Sequence, residues 1–128
     1  MDEAGKSTSP SQPPQPAAPA GPLSIDDFKK LQLRVGVVTS AQDHPNADRL
    51  LVLSVDIGEP TPRQLVAGIR GSYQAAGLVG KHVVVVANMK PAMLRGVESQ
   101  GMVLAASDST AIILIAPERP IAAGSQVK

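Results

Sequence analysis

The sequence predicts an all-β fold: a small five-stranded barrel with a short helix between strands three and four and a C-terminal strand extension. Three observations predict it. Short runs with apolar residues at every second position are separated by Gly, Pro, Asp and Asn. A helix-compatible segment, 71–80, falls between the third and fourth of these runs. The chain has 128 residues, 43% of them hydrophobic, with Phe28 and Tyr73 as the only aromatics. That suffices for one aliphatic core and not comfortably for two.

The elements follow in order. Residues 1–22, MDEAGKSTSPSQPPQPAAPAGP, hold six of the 12 prolines and little to bury. They predict a disordered or polyproline tail or linker. Ser24 as N-cap and Asp27 three residues on resemble a capping box, with Leu23 and Phe28 at the staple positions. A helical turn is expected over 25–31. In the first strand, 33–42, Leu33, Val35 and Val37 share one face and Arg34 and Gly36 the other; Gly36 suggests a bulge or bend. A polar loop, 43–49, leads to the second strand, 50–57, with Leu51, Leu53, Val55 and Ile57 inward and Ser54 and Asp56 outward. The third strand is 63–69. The segment 71–80 reads as a short helix with Ser72 as cap and a Gly stop. The fourth strand, 81–89, is apolar on both faces and therefore central. The fifth is 99–107 and a sixth is 111–117. This order matches the oligonucleotide/oligosaccharide-binding (OB) barrel. An SH3-like barrel would not place a helix there.

Composition narrows the function classes. There is no Cys, which rules out disulfides and Cys-zinc sites and fits a reducing compartment. No run approaches the roughly 20 apolar residues of a membrane span, and the N-terminus lacks the apolar stretch of a signal peptide. The expected setting is cytoplasmic. His44 and His82 are far apart and read as surface or strand-edge residues, and no metal-ligand spacing, nucleophile elbow or phosphate-cradling glycine loop occurs. No catalysis and no cofactor are expected. The net charge is only +1, yet Pro60 to Ser107 carries Arg63, Arg70, Lys81, Lys90 and Arg95 against Glu98 alone. Such asymmetry suggests a face for an anionic partner.

The stretch NMKPAMLRGVESQGM, Asn88 to Met102, concentrates that chemistry. It joins strands four and five, a loop that borders the ligand face of an OB barrel. Pro91 fixes its own φ and restricts Lys90, and Gly96 permits a tight turn after Arg95. Lys90 and Arg95 are therefore expected near one another on a stiffened loop, with Asn88, Ser99 and Gln100 adding neutral hydrogen-bonding groups. Met89 and Leu94 read as core, and Met102 as exposed.

The blocks LRVGVV, HPNADRLLVLSVDIGE, PRQLVAGI and LVGKHVVVVANMKPAMLRGVESQGMVLAAS closely resemble the tRNA-binding domain family, from about Leu23 to Lys128. Members include free-standing bacterial tRNA-binding proteins and the C-terminal appendix of many methionyl-tRNA synthetases. The resemblance implies an OB-fold domain at 23–128 that binds tRNA without strong sequence choice. It implies tRNA contact through Asn88, Lys90, Arg95, Ser99, Gln100 and Met102, with Arg34, Arg63 and Lys81 as weaker candidates for the same face. It also implies a homodimer through the extension 108–128 and an aminoacyl-tRNA synthetase as a further partner. Both the free-standing and the appended form fit these residues. A rival reading is a protein-interaction or chaperone-like OB module docking on a synthetase complex.

Overall fold

The computed structural model describes residues 21–128. All but the last two residues of the predicted 1–22 tail lie outside that range. Two units are described. In the first, which extends to Lys30, helix α1 is a single turn, Ile25–Phe28. The Ser24 hydroxyl accepts the Asp27 N–H at 3.1 Å, as a capping residue should. The expected staple is not apparent: Leu23 and Phe28 are both exposed.

The second unit, 31–128, is nearly all β. Strands β1 (Leu33–Asp43), β2 (Leu51–Asp56), β3 (Arg63–Ala67), β4 (His82–Val86) and β7 (Met102–Val103) form an antiparallel sheet in the order β3-β2-β1-β4-β7. This sheet curls into a nearly closed five-stranded barrel of OB-like type. Between β4 and β7 lies a hairpin of β5 (Ala92–Leu94) and β6 (Val97–Ser99). After β7, β8 (Ala105–Ser107) pairs with β9 (Ile112–Leu114), and β10 (Gln126–Val127) joins the edge of β1 beside Leu33 and Arg34.

The interior is aliphatic. Leu51, Leu53, Val55 and Ile57 of the second predicted strand are all buried, as the alternation requires. They meet Val38, Leu65, Leu78, Val83 and Val85. β4 is buried on both faces because it serves two clusters. Val83 and Val85 face the interior, whereas Val84 and Val86 pack outside with Leu33, under Leu104 and Val127. The inward row of β1 thus belongs to Gly36 and Val38, not to Leu33. Gly36 marks a close approach rather than a bend: an added Cβ would run into Val55 and lie 3.2 Å from Ile57. The irregularity of β1 falls later, between Val38 and Ser40.

Two elements differ from expectation. The predicted helix 71–80 shrinks to one 3-10 turn, Ala75–Gly77, capped by Gln74 without a side-chain bond. Ser72 accepts the Ile112 N–H at 3.0 Å instead, and the Tyr73 hydroxyl accepts the Leu114 N–H at 3.0 Å. The predicted fifth strand, 99–107, is broken into the end of β6, β7 and β8. The C-terminal extension does form strands, β9 and β10, paired within the chain.

Candidate nucleic-acid interface

The segment from Asn88 to Gly101 is an arm laid along β3. Its core is the β5–β6 hairpin, with Ala92 opposite Ser99, Met93 opposite Glu98 and Leu94 opposite Val97. The two residues at its tip, Arg95 and Gly96, have φ of 53° and 90°. Positive φ at both central positions defines the type I′ turn that suits a twisted hairpin. Gly96 adopts it freely. Arg95 is the only non-glycine at positive φ among the described residues, a conformation that costs about 1–3 kcal/mol.

Polar groups fasten the arm at three levels. At its root, the Arg63 guanidinium donates to the Ala87 carbonyl and, at 3.1 Å, to the Gln100 carbonyl. Its other edge forks onto Glu59 with two bonds of 2.9 Å. That hydrogen bonding holds the Glu59 carboxyl below its ordinary range, with the Arg63 and Arg34 charges adding to the effect, and raises the Arg63 pKa. Along the stem, the Gln100 N–H donates to the Gln64 carbonyl at 2.8 Å, and the Gln64 N–H donates to Gln100 Oε1 at 3.0 Å. The Gln64 amide donates to the Glu98 carbonyl at 2.8 Å. Ser99 Oγ accepts the Val66 N–H at 3.0 Å and donates to the Gly101 carbonyl at 2.9 Å. These bonds stitch the seam of the barrel where no strand ladder runs between β3 and β7.

At the tip, His44 is buried, contrary to its reading as a surface residue. Its Nδ1 accepts the Asn46 N–H at 2.9 Å, so Nε2 carries the proton and donates to the Leu94 carbonyl at 2.9 Å. The loop between β1 and β2 is itself braced by Arg70, which pairs with Asp43 at 3.0 Å and donates to the Asp48 carbonyl at 3.2 Å. Nothing local in the sequence marks His44 as a latch, because its partner is 50 residues away.

The structure sorts the predicted residues. Asn88, Lys90, Gln100, Met102, Arg34 and Arg63 gather at the end of the barrel where β4 stops and β1 begins. Lys90 and Met102 are exposed there. Asn88 Oδ1 accepts the Gln32 N–H at 2.9 Å, and Arg34 donates to the Gly124 carbonyl at 3.3 Å. Arg63, Met89, Pro91 and Gln100 line an open cleft at this root; Met89 is exposed, not core, and so is Leu94. Ser99 is buried with its hydroxyl committed to backbone. Lys81 precedes β4 at the opposite end of that strand from Asn88. Lys90 and Arg95 are not neighbours. Five residue steps of largely extended chain run from root to tip, about 17 Å. Both are exposed, and neither side chain has a hydrogen-bonding or ionic partner among the described residues. Among those residues no group of three or more His, Asp and Glu could hold a metal ion, and no helix is long and apolar enough to cross a membrane.

The family model described as "Putative tRNA binding domain" matches residues 33–126. Methionine–tRNA ligase of Thermococcus kodakarensis is 48% identical over 106 residues, 83% of this chain and 14% of that protein. The Methanosarcina acetivorans enzyme is 49% identical over 107 residues, 83% of this chain and 15% of that protein. This chain thus spans about a seventh of the length of those curated relatives. Among solved structures, a MetRS-related protein from Pyrococcus horikoshii superposes with a TM-score of 0.78 at 33% identity, covering 84% of this chain and 99% of that one. The chaperone CsaA from Bacillus anthracis gives 0.76 at 28%, covering 84% of this chain and 100% of that one. Domains of the matched family bind and do not catalyse. A family match across most of the barrel, with both relatives near half-identical, shows that this chain belongs to the tRNA-binding domain family.

Proposed function

We propose that the domain holds folded tRNA by its sugar–phosphate surface, without base-specific choice, and so assists methionine–tRNA ligase as an appended domain or a free-standing counterpart. The observation that carries this is the arm: two unpartnered cations, Lys90 at its root and Arg95 at its tip, stand on a segment fastened at both ends. The barrel has no base-stacking platform to compete with them. Its one aromatic, Tyr73, is half-buried with its hydroxyl engaged. Phosphate contact with steep salt dependence is what remains. Asn88, Gln100, Met102 and Arg34 complete the surface at the root, Ser99 and Arg63 support it, and Lys81 belongs to a separate patch.

The same reading takes residues 23–128 as the RNA-holding domain and 1–22 as its linker, in the cytoplasm. It places a homodimer contact on the extension 108–128, where Ile113, Ile115 and Ile121 are exposed. Docking on polypeptide is the rival, favoured by exposed Met89, Met93 and Met102; ribonuclease treatment before pull-down separates the two.

The test is a titration of unfractionated tRNA at low salt with wild type and Lys90→Glu/Arg95→Glu. Reversing both charges is expected to weaken binding by on the order of tenfold or more. Equal affinity of the two proteins removes the proposed surface.

A further inference from the structure

A second cleft lies at the far end of the arm. It is open, and it is lined by Asn46, Ala47, Asp48, Arg49 and Leu50 of the β1–β2 loop together with Arg95. Two cationic residues, Arg49 and Arg95, thus share the cleft with one acidic residue, Asp48. Arg49 is exposed and, like Arg95, has no side-chain partner among the described residues. The cleft is preformed, because His44 fixes the tip through the Leu94 carbonyl and Arg70 fixes the loop through Asp43 and the Asp48 carbonyl. The Asn46 side chain also reaches the Arg95 carbonyl at 3.5 Å. A type I′ turn takes Asn, Asp or Gly at its first central position with less steric conflict than Arg. Here that position holds Arg95, at φ 53°, so the turn is not built for its own stability. Strain of this kind is retained where the side chain has work elsewhere.

We infer that Arg49 and Arg95 form a second phosphate-binding site, which grips the backbone of the same RNA that Lys90 contacts at the root, with His44 as the positioning residue. This rests on the reading that the arm binds RNA. Two forked donors suit a phosphate better than ammonium groups would, because each offers paired N–H groups in a plane. Asp48 beside them disfavours a carboxylate-rich partner less than two free arginines attract one, so the test must show that the ligand is RNA.

Fluorescence anisotropy of labelled unfractionated tRNA, followed over a range of salt concentrations, decides the matter. Arg49→Gln is expected to weaken binding about three- to tenfold at low salt and to flatten the plot of log K against log salt by about 0.7–0.9. Arg49→Lys is expected to keep the slope. Lys29→Gln, which removes the same charge outside the barrel, controls for net charge and is expected to leave the slope in place. Arg95→Gly removes the other guanidinium and relieves the turn. It is expected to raise the unfolding temperature while weakening tRNA binding, which separates contact from misfolding. If Arg49→Gln binds like Lys29→Gln while Lys90→Gln still loses affinity, the second site is overturned and the proposed function stands. If wild type shows no salt-dependent tRNA binding, both fall.

Discussion

The strand β2 and the arm from Asn88 to Gly101 are held in opposite ways. In β2, Leu51, Leu53 and Val55 are fully buried, and no side chain of the strand reaches across the barrel to a polar partner. In the arm, Ser99 is the only residue buried as a whole between Asn88 and Gln100, yet His44, Arg63, Gln64 and Gln100 secure it by hydrogen bonds. Hydrophobic burial is non-directional and tolerates small slips. Hydrogen bonds fix distance and angle. The barrel supplies stability, and the arm supplies a shape whose cations stay free. Substitutions in the two regions should therefore have different signatures, with the loss in global stability for one and in local order and RNA affinity for the other.

The largest expected effect breaks the barrel. Leu53→Ala should cost about 2–5 kcal/mol of stability, read as a fall in the denaturant midpoint at unchanged m. The RNA affinity of the remaining folded fraction should hardly change. A loss below about 1 kcal/mol would mean that the interior is not the source of stability. Next comes the seam. Ser99→Ala leaves the Val66 N–H buried without its acceptor, at about 1–3 kcal/mol. Amide exchange should quicken at Val66 and along the arm before it does in β2. Uniform quickening would show that arm and barrel are one cooperative unit. The smallest effect sharpens the comparison at the root. Glu59 has a depressed pKa in the folded protein, so its contribution is present above the unfolded carboxylate value of about 4.3 and is lost as pH falls through the lower folded value. The pair is partly solvated, with Glu59 43% exposed, so the change in stability should be slight. The Arg63 Nε–H resonance should nevertheless titrate below pH 4.3 in wild type and lose that step in Glu59→Gln.

What was legible in the sequence follows the same division. The alternation of β2 and the two-faced apolarity of β4 were readable because burial acts locally on every second residue. The cap of α1 was readable because Ser24 and Asp27 are three residues apart. The helix at 71–80 was not there to be read: Gly71, Gly77 and Gly80 weaken it, and Ser72 and Tyr73 spend their hydroxyls on the two ends of β9 rather than on a helix. The basic loop was legible in composition but not in geometry. The turn at Arg95–Gly96 is present as expected, but the alternation of AMLRGVES around it makes a hairpin that carries Arg95 away from Lys90 instead of leaving the two cations side by side. The latch role of His44, and the parts played by Gln64 and Arg49, are not legible locally, because what they touch, or what lines a cleft with them, lies 34 or more residues along the chain.

Fastening the hairpin at both extremities has a consequence for recognition. Clamped by Arg63 below and His44 above, the arm cannot stretch or shorten, so it behaves like a caliper set to one opening. A limp single strand must be straightened or bunched to fit those jaws, whereas a compact fold whose backbone segments already sit at that separation enters without rearrangement. Selectivity for architecture over spelling then comes from the stiffness of the measuring tool, with no base ever being read.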